Sequence, residues 1–413
     1  MLRLLSQITI TQVPTTVFNK RNQSFTMDFV TECEISSSWQ NLTDTAKLKF
    51  PKNIYFTDQT GKKISWENKN ITGSSTTPPL IMRGDKITIS LGYEYPIATT
   101  YFIPELPDKL TTEMNTEFTG YITKITPSKP VEIECEDNMF LLKGISAPKK
   151  EYSGTVFDML TDMFSIAKQD SDTAAKIAAI TINNKAASIN LGNSFTTNGE
   201  TIAQVLNRLQ KDYQIESYFR GNELRCSDIV YYGDANQSVF AFEENIIDSD
   251  LEYRRLDDFK MGIVAKSVVM APGTGTNKNG SQKTSKQPLS VFVTKDDNGD
   301  PAPQSEDGFE GEKRTLYFFN VNNQADLITK AGNKLNRLYY EGFYGSFTTF
   351  GLPFVKHGDD ILLRDRLIPE RNGTYKAKKI TITFGEKGFR RKVDVDIRID
   401  TLPAYTPGWQ FIG

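Results

Sequence analysis

The residues most able to do chemistry are few, and their spacing decides against most of it. The sequence holds one histidine, His357, so any Ser-His-Asp or Cys-His relay would have to run through it. No GxSxG nucleophile elbow is present, and a single histidine excludes a two-histidine metal site. His357 stands directly before Gly358-Asp359 and reads as a turn residue. Glu132, Glu134, Glu136 and Asp137 form an acidic cluster, but the three glutamates alternate along one strand and share a face. Such a face is solvated or lines a channel, whereas carboxylates that cleave a glycoside must oppose each other across a cleft. Asp296-Asp297-Asn298-Gly299-Asp300 approaches a calcium loop and lacks its regular alternation and terminal Glu. GTGTNKNG (Gly273–Gly280) has part of the glycine spacing of a phosphate loop, but Ser281 and Gln282 stand where Lys and Ser/Thr must follow. Cys33, Cys135 and Cys226 are odd in number and too far apart for a zinc CxxC pair or a disulfide framework. The sequence therefore assigns no catalytic, cofactor-binding or metal residue and no cofactor, and an enzymatic reading such as a cell-wall hydrolase finds no constellation.

The elements around these residues are mostly strands. In Val131–Glu136, Val131, Ile133 and Cys135 point one way and the glutamates the other, so one face is buried and one is wet. Cys135 is then a small buried hydrophobe. Further strands are expected at Gln7–Thr11, Ser24–Ser36, Thr45–Phe50, Lys86–Tyr93 and Glu117–Ile125, with a polar loop over Gln59–Pro79. Residues 148–255 change character. Val156, Phe157, Leu160, Phe164 and Ala167 share a helical face behind a Thr155/Asp158 capping box. Ile202, Val205, Leu206, Leu209 and Tyr213 form the clearest helical stripe, and a hairpin turning at Gly221-Asn222 follows. These stripes are core packing. After a strand at Ile263–Met270, residues 271–311 read as one long irregular loop. Asn323–Leu338 is a helix, and Lys379–Phe384 and Lys392–Ile399 are strands.

Composition sets the class. The 413 residues are enough for about two to four domains. A net charge of −2 gives no basic excess of the kind a nucleic-acid-binding surface carries. The 11% aromatic content suits pleated sheets. MLRLLSQITI lacks a signal peptide's apolar core, and no apolar run reaches the roughly 20 residues that cross a bilayer, so the chain is expected to be made in the cytoplasm.

One internal echo stands out. MRGDKITISL (Met82–Leu91), followed by GYITKI (Gly120–Ile125), parallels KHGDDILL (Lys356–Leu363), followed by GTYKAKKITI (Gly373–Ile382). Each opens a strand with Gly-Asp, a tight-turn pair, and later begins another strand with Gly. The echo suggests two copies of one β-barrel module in a single chain.

FTGYITKI (Phe118–Ile125), the alternating VEIECED (Val131–Asp137) and MFLLKG (Met139–Gly144) carry a resemblance, with the two Gly-Asp turns and the helix TIAQVLNRL before its hairpin. In this order they resemble the baseplate hub proteins of contractile-tailed phages: the Mu-type 43 kDa tail protein, the late control protein D group and the N-terminal hub part of type VI secretion spike proteins. The resemblance implies a β-rich α+β chain with two tube-like antiparallel β-barrels and α+β connecting parts. The expected domains are a first barrel at 1–147, an α+β domain at 148–255, a second barrel at 256–370 with the loop 271–311 and one helix, and a C-terminal β segment with a docking tail at 371–413. It implies a homotrimer that is a structural adaptor and no enzyme. Six barrels in a ring would join a six-fold tail tube to a three-fold spike. Its partners would be the tail tube protein, the spike and other baseplate proteins, in a phage tail or injection particle, with DNA passing through the lumen unbound. The lumen wall is expected to be acidic or neutral, so that phosphate finds no cations to hold it. Because the chain ends at Gly413, the spike is expected to be a separate protein, and Trp409 and Phe411 in Leu402–Gly413 are expected either to dock on a neighbouring chain or the spike or to pack on the chain's own barrel. The alternative from the aromatic, β-rich composition is a carbohydrate-binding or adhesion module of a surface or tail-tip structure, against which stand the missing signal peptide and disulfides.

Overall fold

The computed structural model describes residues 2–51, 55–65, 78–96, 110–126, 130–191, 195–227, 237–276, 282–318, 321 and 323–400. The first 136 residues supply β1 (Arg3–Thr11), β2 (Ser24–Met27), β3 (Glu32–Ser38), β4 (Thr45–Phe50), β5 (Tyr55–Asp58), β6 (Lys63–Ser65), β7 (Lys86–Pro96), β8 (Leu110–Thr126) and β9 (Val131–Glu136). In β9 the expected alternation is met: Val131, Ile133 and Cys135 are buried and the glutamates half-buried. Ser24–Ser36 is two strands rather than one. The chain bends at 28–31 because β2 pairs with β1 whereas β3 pairs with β4.

The chain then builds a separate α+β body. It comprises α1 (Met139–Leu142), β10 (Lys150–Tyr152), α2 (Val156–Ala167), α3 (Ser171–Ile177), β11 (Thr181–Ile182), β12 (Phe195–Thr197), α4 (Ile202–Tyr213), β13 (Glu216–Arg220) and β14 (Glu223–Ser227). Thr155 and Thr201 close full capping boxes at the starts of α2 and α4, each satisfying two otherwise orphaned N–H groups. The apolar stripes of both helices pack into a second core with Leu191, Phe195, Leu224 and Cys226.

Next come β15 (Gln237–Ala241), β16 (Ile246–Ser249) and β17 (Glu252–Arg254), then β18 (Met261–Thr276), β19 (Gln282–Lys295), β20 (Pro301–Pro303), β21 (Glu312–Tyr317) and α5 (Gln324–Leu338). These last five form a four-stranded sheet, in the order β20–β19–β18–β21, with α5 against it and a third core of its own. The stretch 271–311, expected as one loop, is therefore corrected. It continues β18, pairs back as β19 from Pro272↔Thr284 to Gly262↔Thr294, and adds β20. Only 277–281 and parts of 296–311 lie outside strands or outside the described residues.

β22 (Gly342–Tyr344) pairs with β17, so the two ends of this inserted unit meet at a neck. The chain closes with β23 (Ser346–Phe350), β24 (Asp360–Arg364), β25 (Gly373–Gly385) and β26 (Gly388–Arg398). Strands from the two ends of the chain share one 15-stranded sheet, ordered β16–β23–β26–β25–β3–β4–β9–β8–β7–β1–β2–β5–β6, with β24 branching from β25 and β15 from β24. β15 and β24 run parallel and the other pairs are antiparallel. Among the described residues this path stays open, and no barrel closes. β24 and β25 pair directly across the expected boundary at 370/371.

Candidate functional site: two matched turns and the joint between them

The echoed Gly-Asp pairs fold into the same structure. Gly84 and Gly358 take left-handed φ of 92° and 82°, which glycine adopts without the steric cost of a side chain. The Met82 N–H donates to Asp85 Oδ2 at 2.8 Å, and the Lys356 N–H to Asp359 Oδ2 at 2.8 Å. Each aspartate N–H then donates back, Asp85 to Met82 O and Asp359 to Lys356 O, both at 3.1 Å. The glycine N–H groups reach the next long strand, Gly84 to Ile122 O at 2.8 Å and Gly358 to Ala377 O at 2.7 Å. Both strands answer at 2.9 Å, Ile122 N–H to Asp85 O and Ala377 N–H to Asp359 O. Four hydrogen bonds thus repeat, between a turn and the strand after it, in two places far apart in sequence.

Each turn aspartate is also held by an arginine, and here the copies differ. Arg21 grips Asp85 with two bonds, Nη1–Oδ1 at 2.9 Å and Nη2–Oδ2 at 2.6 Å, with both side chains buried. Asp359 is paired with Arg220, which comes from the tip of the β13–β14 hairpin and also donates to His357 O at 2.7 Å. The second turn is therefore clamped by the α+β body.

The two halves of the large sheet are joined by the β3–β25 ladder, which runs from Ser38↔Lys379 to Glu32↔Gly385. Behind it lies a buried ion pair across the joint. Arg391 Nη2 lies 2.7 Å from Glu117 Oε1, and the side chains are 0% and 1% exposed. Arg391 occupies an inward slot of β26, in line with Phe389, Val393, Val395 and Ile397. Its remaining donors are satisfied by Gly351 O and Val355 O. Burial pushes the Glu117 carboxyl above its usual range, against the pull of Arg391 and Lys356. The Tyr93 hydroxyl donates to Phe389 O at 3.1 Å and accepts from Gly351 N–H at 3.0 Å, while the two rings stack at 5.4 Å.

A small cavity of about 60 Å³ opens where both halves and the hairpin tip meet, lined by Asp44, Glu117, Asp137, Arg220, Lys356 and His357 among others. Burial, with the Asp137 charge nearby, raises Asp44 well above the carboxylate range, and burial brings Asp137 up to about 7. Burial, helped by the Arg220 and Lys356 charges, lowers His357 to about 3, so its ring is neutral at physiological pH. His357 packs edge-on against Tyr218 at 5.1 Å, and its Nδ1 is 3.7 Å from Asp44 Oδ2, beyond hydrogen-bonding distance. Glu117 is paired with Arg391, Arg220 with Asp359 and the His357 carbonyl, and Asp44 and Asp137 accept from the Ser38 and Met139 N–H groups, an arrangement that fixes three parts of the chain in one geometry.

The residues singled out from sequence fall in different places. His357 does precede the turn, and it is also a buried member of the joint. Glu134 and Glu136 form ion pairs with Lys124 at 3.4 Å and Lys143 at 2.7 Å, and Glu132 lies opposite Lys49, so their face is a charge-paired ladder. Asp137 leaves that face to cap the Met139 N–H at 3.0 Å. Asp296 closes its own turn, accepting from Asn298 and Asp300 N–H groups at 2.9 Å. Gly273–Thr276 are part of β18, and 277–281 lie outside the described residues. The three cysteines are buried, with thiols pushed up by burial. Among the described residues no three His, Cys, Asp or Glu side chains are grouped to hold a metal ion, and no helix is long and apolar enough to cross a membrane. The tail Leu402–Gly413 lies outside the described residues. Sequence reasoning passed over Glu117, Arg391, Arg21 and Arg220. Arg391 did leave a signal, a charge at an inward position of an otherwise apolar alternation.

This combination of one long sheet, an α+β body and a doubled Gly-Asp turn is similar in fold to a known tail protein. The tail protein from Neisseria meningitidis MC58 superposes with a TM-score of 0.52 at 13% identity, over 95% of this chain and 96% of that one. The 43 kDa tail protein of prophage MuSo2 from Shewanella oneidensis gives 0.49 at 14% identity, over 95% and 97%. An E. coli component of the type VI secretion system, described as similar to phage tail proteins, gives 0.42 at 9% identity, over 92% and 76%. The likeness is one of fold. No family model matches the sequence, and no curated protein matches it.

Proposed function

We propose that this chain is the structural hub of a phage tail baseplate or a related injection particle. It acts as a homotrimeric adaptor between a six-fold tail tube and a three-fold central spike. The observation that carries the reading is the pair of Gly-Asp turns, whose four hydrogen bonds recur at matching lengths. A chain that holds one module twice offers two similar surfaces, and three such chains offer six. That is the economical way to meet a six-fold ring with a three-fold object. The first module is formed by residues 3–136. The second is formed by 237–254 with 342–399, and the unit 256–341 is inserted into it at the β17–β22 neck. In the trimer the curled halves of the sheet would complete tube-like barrels around a lumen. The buried ion pair and the β3–β25 ladder set the angle between the modules, which a ring of six requires to be fixed. The role is structural, with tail tube, spike and other baseplate proteins as partners, in the tail of the assembled particle.

Multi-angle light scattering on the purified chain is expected to give three times the chain mass. Electron microscopy is expected to show a ring of six lobes around a hole with a neutral or acidic wall. A monomer at micromolar concentration, or a strongly basic lumen, would refute the adaptor reading.

A further inference from the structure

The likeness of the two modules extends beyond their turns, strand by strand and in register. In the first, β8 and β9 pair at Ile122↔Cys135, skip one residue of β8, and resume at Lys124↔Glu134. In the second, β25 and β26 pair at Ala377↔Val395, skip one residue of β25, and resume at Lys379↔Asp394. Ile122 and Ala377 are the residues bonded to Gly84 and Gly358, so the same bulge follows the same turn contact. The three residues after it are identical, Lys124-Ile125-Thr126 and Lys379-Ile380-Thr381.

The neighbouring strands keep this correspondence. Ile133 lies between Ile125 and Leu48 of β4, as Val393 lies between Ile380 and Phe347 of β23. β4 then pairs with β3, and β23 with β16. The β16 register runs on through Asp250, whose N–H donates to Ser346 O at 2.9 Å, into β17, where Glu252 lies opposite Tyr344. Ser36 lies opposite Thr45 at the matching position of the first module. Glu252–Arg254 therefore stand where Ser36–Ser38 stand.

Within the chain, Ser38, Ser37 and Ser36 pair with Lys379, Ile380 and Thr381, in the ladder that joins the modules. Their counterparts have no such partner in the same chain. Among the described residues, Glu252–Arg254 pair only with β22, and Lys124–Thr126 only with β9. The counterparts are also more open to solvent. Ile380 is 1% exposed whereas Ile125 is half-buried, and Ser38 is 3% exposed whereas Arg254 is half-buried.

We infer that Glu252–Arg254 of one copy pair with Lys124–Thr126 of the next copy as an antiparallel ladder, the intermolecular counterpart of the β3–β25 joint. Main-chain hydrogen bonds supply the attachment, as when a strand adds to an open sheet edge. Arg254 and Lys124 come to lie opposite each other, but each already holds a carboxylate of its own module, Glu252 at 2.7 Å and Glu134 at 3.4 Å. The contact joins two different surfaces, so it is head-to-tail, and repeated three times around an axis it closes a ring. It is the lighter of the two joints. The β3–β25 ladder has seven pairs and is backed by the Arg391–Glu117 ion pair. Val131, opposite Phe50, takes the place that Arg391 holds opposite Thr349, so the first module has no such cation to offer. This pairing rests on the trimeric reading above and names the strands that close its ring.

The test places single added cysteines in two coexpressed chains with different affinity tags, T126C in one and E252C in the other. Directly opposed residues of an antiparallel ladder have Cβ atoms about 5 Å apart, within reach of a disulfide. The native cysteines are buried. S36C/T381C, the matching pair inside one chain, is the positive control, because Ser36 and Thr381 are already partners. On oxidation the T126C and E252C chains are expected to form a linked pair that carries both tags and is lost on reduction. A chain with both substitutions should run as a covalent trimer, and K124C with E252C, two positions out of register, should link far less. If the wild type is trimeric and the control links, the absence of the two-tag product, or an E252C chain that links to itself instead, would overturn the ladder and leave the adaptor reading standing. A wild type that sediments as a monomer would overturn both.

Discussion

Replacing Arg391 with methionine tests whether the joint between the modules is held as described. The guanidinium makes five hydrogen bonds, two to Glu117 and three to the carbonyls of Gly351 and Val355, and its side chain is fully buried. Methionine fills much of the same volume and donates to none of them. Glu117, itself 1% exposed, is then left either charged in the core or forced to take up a proton. Removing one partner of such a pair costs roughly 3–5 kcal/mol. The two orphaned carbonyls put the expected loss at the upper end of that range. The double variant E117M/R391M removes the stranded charge and should cost much less than the sum of the two single changes. Only the two unsatisfied carbonyls remain, at about 1–3 kcal/mol each. Urea unfolding followed by circular dichroism on the four proteins of the cycle gives the coupling energy directly. The single variant should also respond to acid. With its cation gone, Glu117 has a folded pKa still further above the unfolded one, so the penalty should shrink below the unfolded pKa and grow as pH rises. An R391M loss under about 1 kcal/mol, or additive single effects, would show that the joint does not depend on this pair.

Three further outcomes follow from the same geometry. Gly84→Ala and Gly358→Ala should each cost roughly 1–2 kcal/mol, because both positions hold left-handed φ, and matching losses in urea midpoints would support the equivalence of the two turns. Arg21→Met should cost more than Arg220→Met, since Arg21 is 3% exposed and doubly bonded while Arg220 is 20% exposed, and thermal unfolding of the pair ranks them. Asp137, raised to about 7 in the folded protein, favours folding when protonated; that contribution is complete below about pH 4 and lost as pH rises through 7. Asp137→Asn should therefore gain on the wild type between pH 4 and 8, and a pH-independent difference would show that Asp137 titrates normally.

Much of this was legible where one face of an element is buried. Thr45–Phe50 and Val131–Glu136 alternate cleanly and fold with the expected bounds, and Thr155 announced its capping box three residues ahead of Asp158. The doubled Gly-Asp was readable because a left-handed turn permits so few residues. The outer part of the β18–β19 ladder was not readable. Residues such as Gln282–Lys286 are polar at successive positions, so the sequence there carries no period of two. The joint was hidden for another reason. Glu117 and Arg391 are 274 residues apart, and each alone is only a charge in a strand. Nothing local says that β3 and β25 will share a ladder.

The difference between the two turns bears on how the chain is assembled. If one module was doubled, the backbone bonds of the turn were kept and the arginine that grips its aspartate was not. Asp85 is gripped from within its own module by Arg21, whereas Asp359 is gripped by Arg220 from the body that separates the modules. The hairpin tip that delivers Arg220 also holds Asn138, two residues past β9 where the chain leaves the first module, and Asn138 donates to Gly221 O at 2.8 Å. The body is thus fastened to the second module, and to the exit from the first, through three consecutive residues, Arg220 to Asn222. It cannot swing away from the second module without stranding Asp359, nor from that exit without stranding the Asn138 amide. With such a wedge the angle between the modules depends on a short, partly buried contact rather than on the length of the connecting chain.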